Sequence, residues 1–171
     1  GGPGTIEPGV QVRGRLWVAE GAVVRSGTYV EGDVLVGAGS NVGPNAYLRG
    51  PVVLGARCRV GAATEVKASL LLDEAQAPHL NYVGDSVLGP RTNLGAGTKL
   101  ANLKLTPGNV RATGPVGPLD TGRRKFGACL GPDAKSGINA TLQPGTLVGA
   151  GALVGAGRVA AGWVEPGARL P

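Results

Sequence analysis

The sequence has 171 residues, a length that suits one domain. Glycine is abundant, at 32 residues, yet 42% of the residues are apolar and evenly spaced, which predicts a repeat fold and excludes a disordered chain. The net charge of +6 favours anionic partners, but the arginines are scattered and aromatic residues make up only 4%, which argues against nucleic acid. Two cysteines exclude a disulfide framework and favour a reducing, cytoplasmic location, and no apolar run predicts a membrane span or a signal peptide.

From Ile6 onward, a branched aliphatic residue recurs at every sixth position, and a smaller apolar or hydroxyl residue often lies two positions before it. A six-residue unit is too short for a helix or a hairpin, so it predicts one short strand and one corner, and three units close a triangular coil. The sequence therefore predicts an all-β fold, a single-stranded parallel β-helix of roughly seven coils. The first series runs through Ile6, Val12, Val18, Val24, Val30, Val36, Val42, Leu48, Leu54, Val60, Val66 and Leu72.

This frame breaks twice. The first break is predicted within Leu72–Tyr82, after which the frame resumes at Tyr82, Leu88, Leu94 and Leu100. The second break covers residues 103–124, contains three Gly/Pro pairs and has no periodicity, so it is predicted as a loop inserted between two coils. Because long loops in compact folds are usually functional or disordered, we expect functional residues at the breaks.

Candidate catalytic and binding residues lie at or near the two breaks. His79, the only histidine, lies in the first; a lone histidine is more often a surface or capping residue, but this position favours a role in function. One histidine per chain does not supply the three of a zinc site, which disfavours a γ-type carbonic anhydrase and predicts no metal. Arg123-Arg124-Lys125, at the end of the second break, either grips phosphate or is a solvated loop end. Asn102 is either a site residue or a member of a buried Asn ladder.

Three motifs, at residues 78–86, 93–98 and 101–103, resemble the acetyltransferase domain of bifunctional sugar-1-phosphate nucleotidylyltransferase/acetyltransferases. The stretches at residues 122–128 and 136–139 resemble more closely the branch of this family that also handles glucose-, thymidylyl- and galactosamine-type substrates. The resemblance covers essentially the whole chain. It implies a left-handed β-helix and a homotrimer with sites between neighbouring subunits. It also implies that residues 1–171 form a single acetyltransferase domain without the N-terminal nucleotidylyltransferase domain of the family.

The resemblance implies acetyl-CoA-dependent N-acetylation of an amino-sugar 1-phosphate, with glucosamine or galactosamine as the sugar, in UDP-N-acetylglucosamine biosynthesis, without a metal. An alternative is a non-catalytic trimerisation or regulatory domain of a nucleotidylyltransferase. The sequence departs from the family pattern at Leu103, at Ile138 and in the absence of a basic C-terminal tail. The implied roles are His79 as catalytic base, Asn102 as the group that orients the amine, Arg49, Lys67, Tyr82, Asn93 and Lys125 as sugar-phosphate ligands, and Ala96 and Ala156 as lining of the acetyl-CoA groove.

Overall fold

Short strands and tight corners alternate along the whole chain, as the six-residue repeat predicts. The computed structural model describes all 171 residues and contains no helix, so no helix could span a membrane. Three parallel sheets, here called faces A, B and C in the order in which the chain meets them, form the sides of a triangular column. Each strand pairs with the strand one coil away. The prediction of an all-β parallel β-helix is confirmed, and the hand of the coil remains an implication of the resemblance.

Each face is an uninterrupted stack. Face A consists of Thr5–Ile6, Val23–Val24, Asn41–Val42, Arg59–Ala62, Gln76–His79, Asn93–Leu94, Lys135–Ser136, Leu153–Val154 and Arg169–Leu170. Face B consists of Gln11–Arg13, Tyr29–Glu31, Tyr47–Arg49, Glu65–Lys67, Tyr82–Gly84, Lys99–Leu100, Thr141–Leu142 and Val159–Ala160. Face C consists of Leu16–Val18, Val34–Val36, Val52–Leu54, Leu70–Leu71, Val87–Leu88, Ala128–Leu130, Thr146–Val148 and Trp163–Val164.

The core is a column of stacked aliphatic side chains. One cluster of 32 buried residues contains most of the predicted inward positions, and Cys58 is buried among them. Ile6 and Val12 are the exceptions, with 42% and 41% of their surface exposed, because they belong to the first coil and no coil packs beneath them. The column has about nine turns, since face A alone contains nine strands, and the estimate of seven coils was too low. The estimate failed because the first break only shortens corners and the second only adds residues, so neither removes a coil.

The first break lies earlier than predicted. Leu71 is fully buried and pairs in register with Leu54, whereas Leu72 is 37% exposed. In the next coil, Val83 is buried and Tyr82 points outward. The predicted inward positions Leu72 and Tyr82 were therefore wrong by one residue. The cause is a shortened corner between faces B and C, where five residues instead of six separate Val66 from Leu71.

Two serines build these shortened corners. Ser69 Oγ donates to the carbonyl oxygen of Lys67 at 2.7 Å, and Ser86 Oγ donates to that of Gly84 at 2.7 Å, so each hydroxyl closes a turn of three residues. Each hydroxyl also accepts a backbone N–H from the coil above: Ser69 from Ser86 at 3.0 Å, and Ser86 from Ala128 at 3.0 Å. The serines thus restore hydrogen bonds that a shorter backbone turn would lose.

The predicted insertion at residues 103–124 begins and ends at the expected place, where Leu103 and Lys125 form an isolated antiparallel bridge. It is not an irregular loop throughout, because Arg111–Gly114 and Gly117–Asp120 form an antiparallel hairpin. The insertion leaves the column at the corner between faces B and C. Val110 and Ala112 are buried, so the hairpin folds back and packs against the column.

Candidate functional site

His79 is the last residue of a face A strand and lies at the corner between faces A and B. Its backbone N–H donates to Asn81 Oδ1 at 3.1 Å, and Asn81 Nδ2 donates to the carbonyl oxygen of Gly95 in the next coil at 2.8 Å. Asn81 is only 3% exposed, whereas the side chain of His79 faces solvent. A buried amide therefore fixes the backbone on both sides of an exposed imidazole. The corner itself is in register, since His79 pairs with Ala62, so the shortened corners lie elsewhere.

Three other residues stack above His79 along the same corner. The backbone N–H of Gly97 donates to the carbonyl of His79 at 3.0 Å, and the corresponding bonds join Asn139 to Ala96 and Gly157 to Ile138 at 2.8 Å each. His79, Ala96, Ile138 and Ala156 therefore occupy the same position in four successive coils, over about 14 Å. We call this column of four residues the A/B edge. It brings the predicted base into line with both residues predicted to line the acetyl-CoA groove.

A polar cluster lies on face B around Asp85. Lys67 Nζ lies 2.8 Å from Asp85 Oδ2, and Asn102 Nδ2 donates to the same oxygen. Only 19% of the Lys67 side chain and 12% of the Asp85 side chain are exposed. We call Lys67, Tyr82, Asp85 and Asn102 the Asp85 cluster; three of its four members are predicted site residues.

Tyr82 and Asn102 approach one another over Gly84, which pairs in register with Lys67. A Cβ atom on Gly84 would lie 2.7 Å from the Tyr82 hydroxyl oxygen and 2.8 Å from Asn102 Nδ2, so only glycine leaves room for both groups. Burial raises the pKa of the Tyr82 phenol, and the nearby charges of Glu65 and Asp85 raise it further. Tyr82 is therefore a neutral O–H donor at neutral pH.

Arg49 lies directly below Lys67 in the register of face B. Its Nη1 donates to Glu65 Oε1 at 2.9 Å, so each of these two stacked cations already has a carboxylate partner within the chain. The clamp that the sequence predicts for phosphate is thus largely neutralised by Glu65 and Asp85.

Lys125 lies on the far side of the Asp85 cluster, at the corner between faces B and C. Together with Arg123, Phe126 and Asp85 it lines a cavity of about 450 Å³. Arg124 instead donates to backbone carbonyls of the insertion, at 3.0 Å for Thr106. The predicted run of three cations therefore splits into two that line a cavity and one that braces the insertion.

Asn93 is the predicted ligand that the fold separates from the rest. It lies on the outer surface of face A, between Gln76 and Lys135 in the register, whereas the Asp85 cluster lies on face B. The structure thus groups Lys67, Tyr82 and Asn102, places Arg49 beside them, and leaves Asn93 across the A/B edge.

Sequence reasoning missed Asn81 and Asp85, although both lie inside the motif of residues 78–86. The inward frame was displaced by one residue there, so Asn81 did not stand out as a buried amide. Asp85 follows Gly84 in a shortened corner and has a φ of 47°, a backbone region that Asp tolerates better than most residues. In the sequence, the Gly84-Asp85 pair was therefore the available signal of a tight turn. No three His, Cys, Asp or Glu side chains come together as metal ligands, and the absence of a metal remains a prediction.

A family model and several relatives match the sequence of this chain. A family model described as the GMPPB C-terminal domain matches residues 30–116. The chain is 42% identical over 156 residues to the bifunctional sugar-1-phosphate nucleotidylyltransferase/acetyltransferase of Sulfurisphaera tokodaii, covering 91% of this chain and 39% of the relative. It is 51% identical over 153 residues to the bifunctional protein GlmU of Methanococcus maripaludis strain C7, covering 90% of this chain and 37% of the relative. The chain thus spans less than two fifths of the length of these relatives.

Among solved structures, a hexapeptide-repeat acetyltransferase from Vibrio cholerae, determined with acetyl coenzyme A, aligns with a TM-score of 0.36 at 20% identity. The alignment covers 82% of this chain and 63% of that chain.

Proposed function

Because the chain belongs to the family of GMPPB C-terminal domains, we propose that it is the acetyl-transferring part of a sugar-nucleotide enzyme. The reaction is acetyl-CoA-dependent N-acetylation of an amino-sugar 1-phosphate, with glucosamine or galactosamine as the sugar, in UDP-N-acetylglucosamine biosynthesis. The relative from Sulfurisphaera tokodaii, a bifunctional nucleotidylyltransferase/acetyltransferase, supports this assignment. The observation that carries it is the A/B edge, where the only imidazole of the chain is exposed in line with Ala96, Ile138 and Ala156.

His79 acts as general base. The sugar amine attacks the thioester carbonyl carbon while the imidazole takes a proton from the nitrogen. The C–S bond then breaks, and the imidazole returns the proton to the departing thiolate, so that an amide and a free thiol result. Imidazole is the side chain that most often acts as a general base, and such catalysis typically contributes 10²–10⁴-fold.

The Asp85 cluster orients the sugar. The neutral Tyr82 phenol and the Asn102 amide present donors on face B, and Asp85 is a positioning residue that holds Asn102 and Lys67 in place. Arg49 and Lys67 also contact the phosphate, but each is already paired with a carboxylate, Arg49 with Glu65 and Lys67 with Asp85. Lys125 and Asn93 complete the set of sugar-phosphate ligands.

The thioester lies above His79 along the A/B edge. Ala96 and Ala156 carry the smallest side chains that a chiral residue has, so the extended arm of the coenzyme can approach the backbone closely at both of these positions. Ile138, which is 57% exposed between these alanines, adds an apolar contact to that arm.

Three copies of the chain form a homotrimer. The support is the outer surface of face C, which is apolar at all eight register positions, with Trp17, Leu35 and Val53 exposed by 53%, 43% and 41%. Contiguous exposed apolar surface of this kind marks association. The column runs through Trp17, Leu35, Val53, Leu70, Val87, Cys129, Leu147 and Trp163.

We also propose that residues 1–171 form one domain that works in the cytoplasm. The single continuous core supports the first statement, and the two free thiols, Cys58 and Cys129, support the second.

A thiol-release assay with acetyl-CoA tests the proposal, with glucosamine 1-phosphate and galactosamine 1-phosphate as acceptors. His79→Ala should reduce turnover at least about 100-fold while the oligomer and its melting temperature stay unchanged. A variant that keeps more than about a tenth of the wild-type rate would remove His79 from the role of base. If the wild type releases no thiol with either acceptor, the chain is instead a non-catalytic trimerisation or regulatory domain, in which Arg49 and Lys67 serve as ion-pair partners.

A further inference from the structure

The corner that carries His79 is built differently from the equivalent corners of other coils. In three of those coils, a backbone N–H donates to the carbonyl oxygen three residues earlier and closes the turn. These bonds join Thr64 to Gly61 at 3.2 Å, Thr98 to Gly95 at 3.1 Å, and Arg158 to Gly155 at 3.3 Å. At the corner of His79, the N–H of Asn81 donates instead to Thr64 Oγ1 in the coil below, at 3.2 Å. The turn that presents the imidazole therefore lacks its own closing backbone bond.

The side chain of Asn81 replaces that bond. Its Oδ1 accepts the N–H of His79 at 3.1 Å, and its Nδ2 donates to the carbonyl oxygen of Gly95 in the next coil at 2.8 Å. Leu80, between the two residues, has a φ of 52°, in the left-handed region that a bulky residue rarely adopts. Such a conformation persists only where surrounding bonds hold it, and the Asn81 amide spans it.

Asn81 is the only amide at its position in the stack. The equivalent residues of other coils are Thr28, Ala46, Thr64, Thr98, Ala140 and Arg158. Thr64 Oγ1 donates to the carbonyl oxygen of Ala77 at 3.2 Å, and Thr98 Oγ1 donates to that of Gly137 at 3.1 Å. Because an amide oxygen lies one bond further from Cβ than a hydroxyl oxygen, Asn81 can reach back to the N–H of His79.

The backbone N–H groups of the A/B edge show the same contrast. Those of Ala96, Ile138 and Ala156 donate to no group of the chain and are open to a ligand, whereas that of His79 is taken by Asn81. No group of the chain forms a hydrogen bond with the imidazole ring itself. The direction of the ring therefore depends on the backbone of His79, and that backbone depends on Asn81.

We propose that Asn81 is a positioning residue for acetyl transfer, which holds the backbone of His79 so that the imidazole reaches the acceptor amine. This inference rests on the proposed function and adds to it a residue that does not touch the substrate. The effect on rate should be large, because a misplacement of about 1 Å in a reacting group can cost about 100-fold.

The first experiment needs no activity. Hydrogen exchange followed by NMR measures whether the amide of His79 is held. Exchange should be slow in the wild type and at least about tenfold faster in Asn81→Ala. Fast exchange in the wild type, or equal rates in the two proteins, would overturn the proposal.

Thr146→Ala is the matched control. Thr146 is a fully buried polar residue whose Oγ1 donates to the carbonyl oxygens of Gln143 at 2.7 Å and Ala160 at 3.3 Å, but it lies at the other corner of face B. Its removal should lower the melting temperature, as Asn81→Ala does, and leave the amide of His79 as slow to exchange as in the wild type.

The second experiment measures kcat and KM at a temperature at which all three proteins are folded. Asn81→Ala should lower kcat at least about tenfold and leave KM unchanged for both the amino-sugar 1-phosphate and acetyl-CoA, because the base acts in the transition state. Thr146→Ala should keep the wild-type kcat. An equal fall of kcat in both variants, or a rise in KM at constant kcat, would overturn the positioning role.

The two experiments together separate this inference from the proposed function. Slow exchange of the His79 amide without turnover in the wild type would refute the proposed function and leave Asn81 as the anchor of the corner. Wild-type turnover that Asn81→Ala leaves unchanged would refute the positioning role alone.

Discussion

The two corners that flank face B differ in how they use the repeat. At the corner between faces A and B, the spacing between inward-facing anchors is six residues in every coil, from Ile6 and Val12 up to Val154 and Ala160. At the corner between faces B and C, the spacing falls to five in two coils, expands around the insertion at residues 103–124, and falls to four before Val164. Every departure from the repeat thus lies at one corner of the triangle.

This difference shows how a solenoid can carry a site. The residues of the A/B edge line up only if this corner has the same number of residues in every coil, and its spacing is therefore constant. At the corner between faces B and C, side-chain hydrogen bonds from Ser69 and Ser86 take the place of backbone hydrogen bonds, so this corner tolerates shortening and insertion. Its irregular geometry is what brings Asp85 and Asn102 together on face B.

The largest effect should come from locating the shortened corner by mutation. Leu71→Ala removes a fully buried side chain and should lower the free energy of unfolding by about 3 kcal/mol. Leu72→Ala, the matched control one residue later, should change it by less than about 0.5 kcal/mol, because Leu72 is 37% exposed. Urea denaturation of both variants measures the difference. Equal losses, or a larger loss for Leu72→Ala, would mean that Leu71 is not the inward residue and that this corner keeps the six-residue spacing.

The second largest loss of stability is expected for Asn81→Ala, at the regular corner between faces A and B. This change leaves the His79 N–H and the Gly95 carbonyl without their buried partner and should cost about 2 kcal/mol of unfolding free energy. Asn93→Ala, on the outer surface of face A, is the control and should unfold as the wild type does in the same urea titration. If both asparagine variants were equally stable, Asn81 would not fix the corner.

A smaller loss should follow Ser86→Ala at the variable corner. The hydroxyl closes the turn to Gly84 and accepts the N–H of Ala128, so its removal should cost about 1.5 kcal/mol. Ser26→Ala, at an exposed turn, is the matched control and should differ little from the wild type by calorimetry. An unchanged Ser86→Ala would mean that backbone bonds alone support the shortened corner.

The smallest effect concerns alkaline pH. Burial raises the pKa of the Tyr82 phenol above its ordinary value of about 10, so folding favours the protonated form. Stability from this source is complete below the ordinary value and is lost as the pH rises through it. Tyr82→Phe should therefore lose less unfolding free energy than the wild type between about pH 9 and pH 11. Parallel losses in the two proteins would contradict burial of the phenol.

The repeat alone predicted most of the fold, because anchors such as Val18 and Leu54 follow one another at a constant interval. It failed at Leu70-Leu71-Leu72, where three consecutive leucines satisfy the hydrophobic pattern equally well and only the stacked structure selects Leu71. Hydrophobic periodicity reports that a residue has been lost, but it does not report at which corner.

The candidate site was predicted in part for a similar reason. The motif around His79 drew attention to the correct coil, but the alignment of His79 with Ala96 and Ala156 depends on how coils of unequal length stack. Asn81 and Gly95 belong to different coils, so nothing local indicates that a hydrogen bond joins them.

The insertion also affects how the chain folds. Most strands pair with a neighbour 17 or 18 residues away, so the column can form by adding one coil at a time, as in other solenoids. The coil that contains the insertion is the exception, because partners on its three faces, such as Val87 and Cys129, lie 42 residues apart. Closing that longer loop costs about 0.8 kcal/mol more than closing an ordinary coil. We therefore expect pairing across the insertion to be the slowest step in forming the column, with a block of coils on each side of it. A hairpin that forms early in the insertion would shorten the loop that has to close.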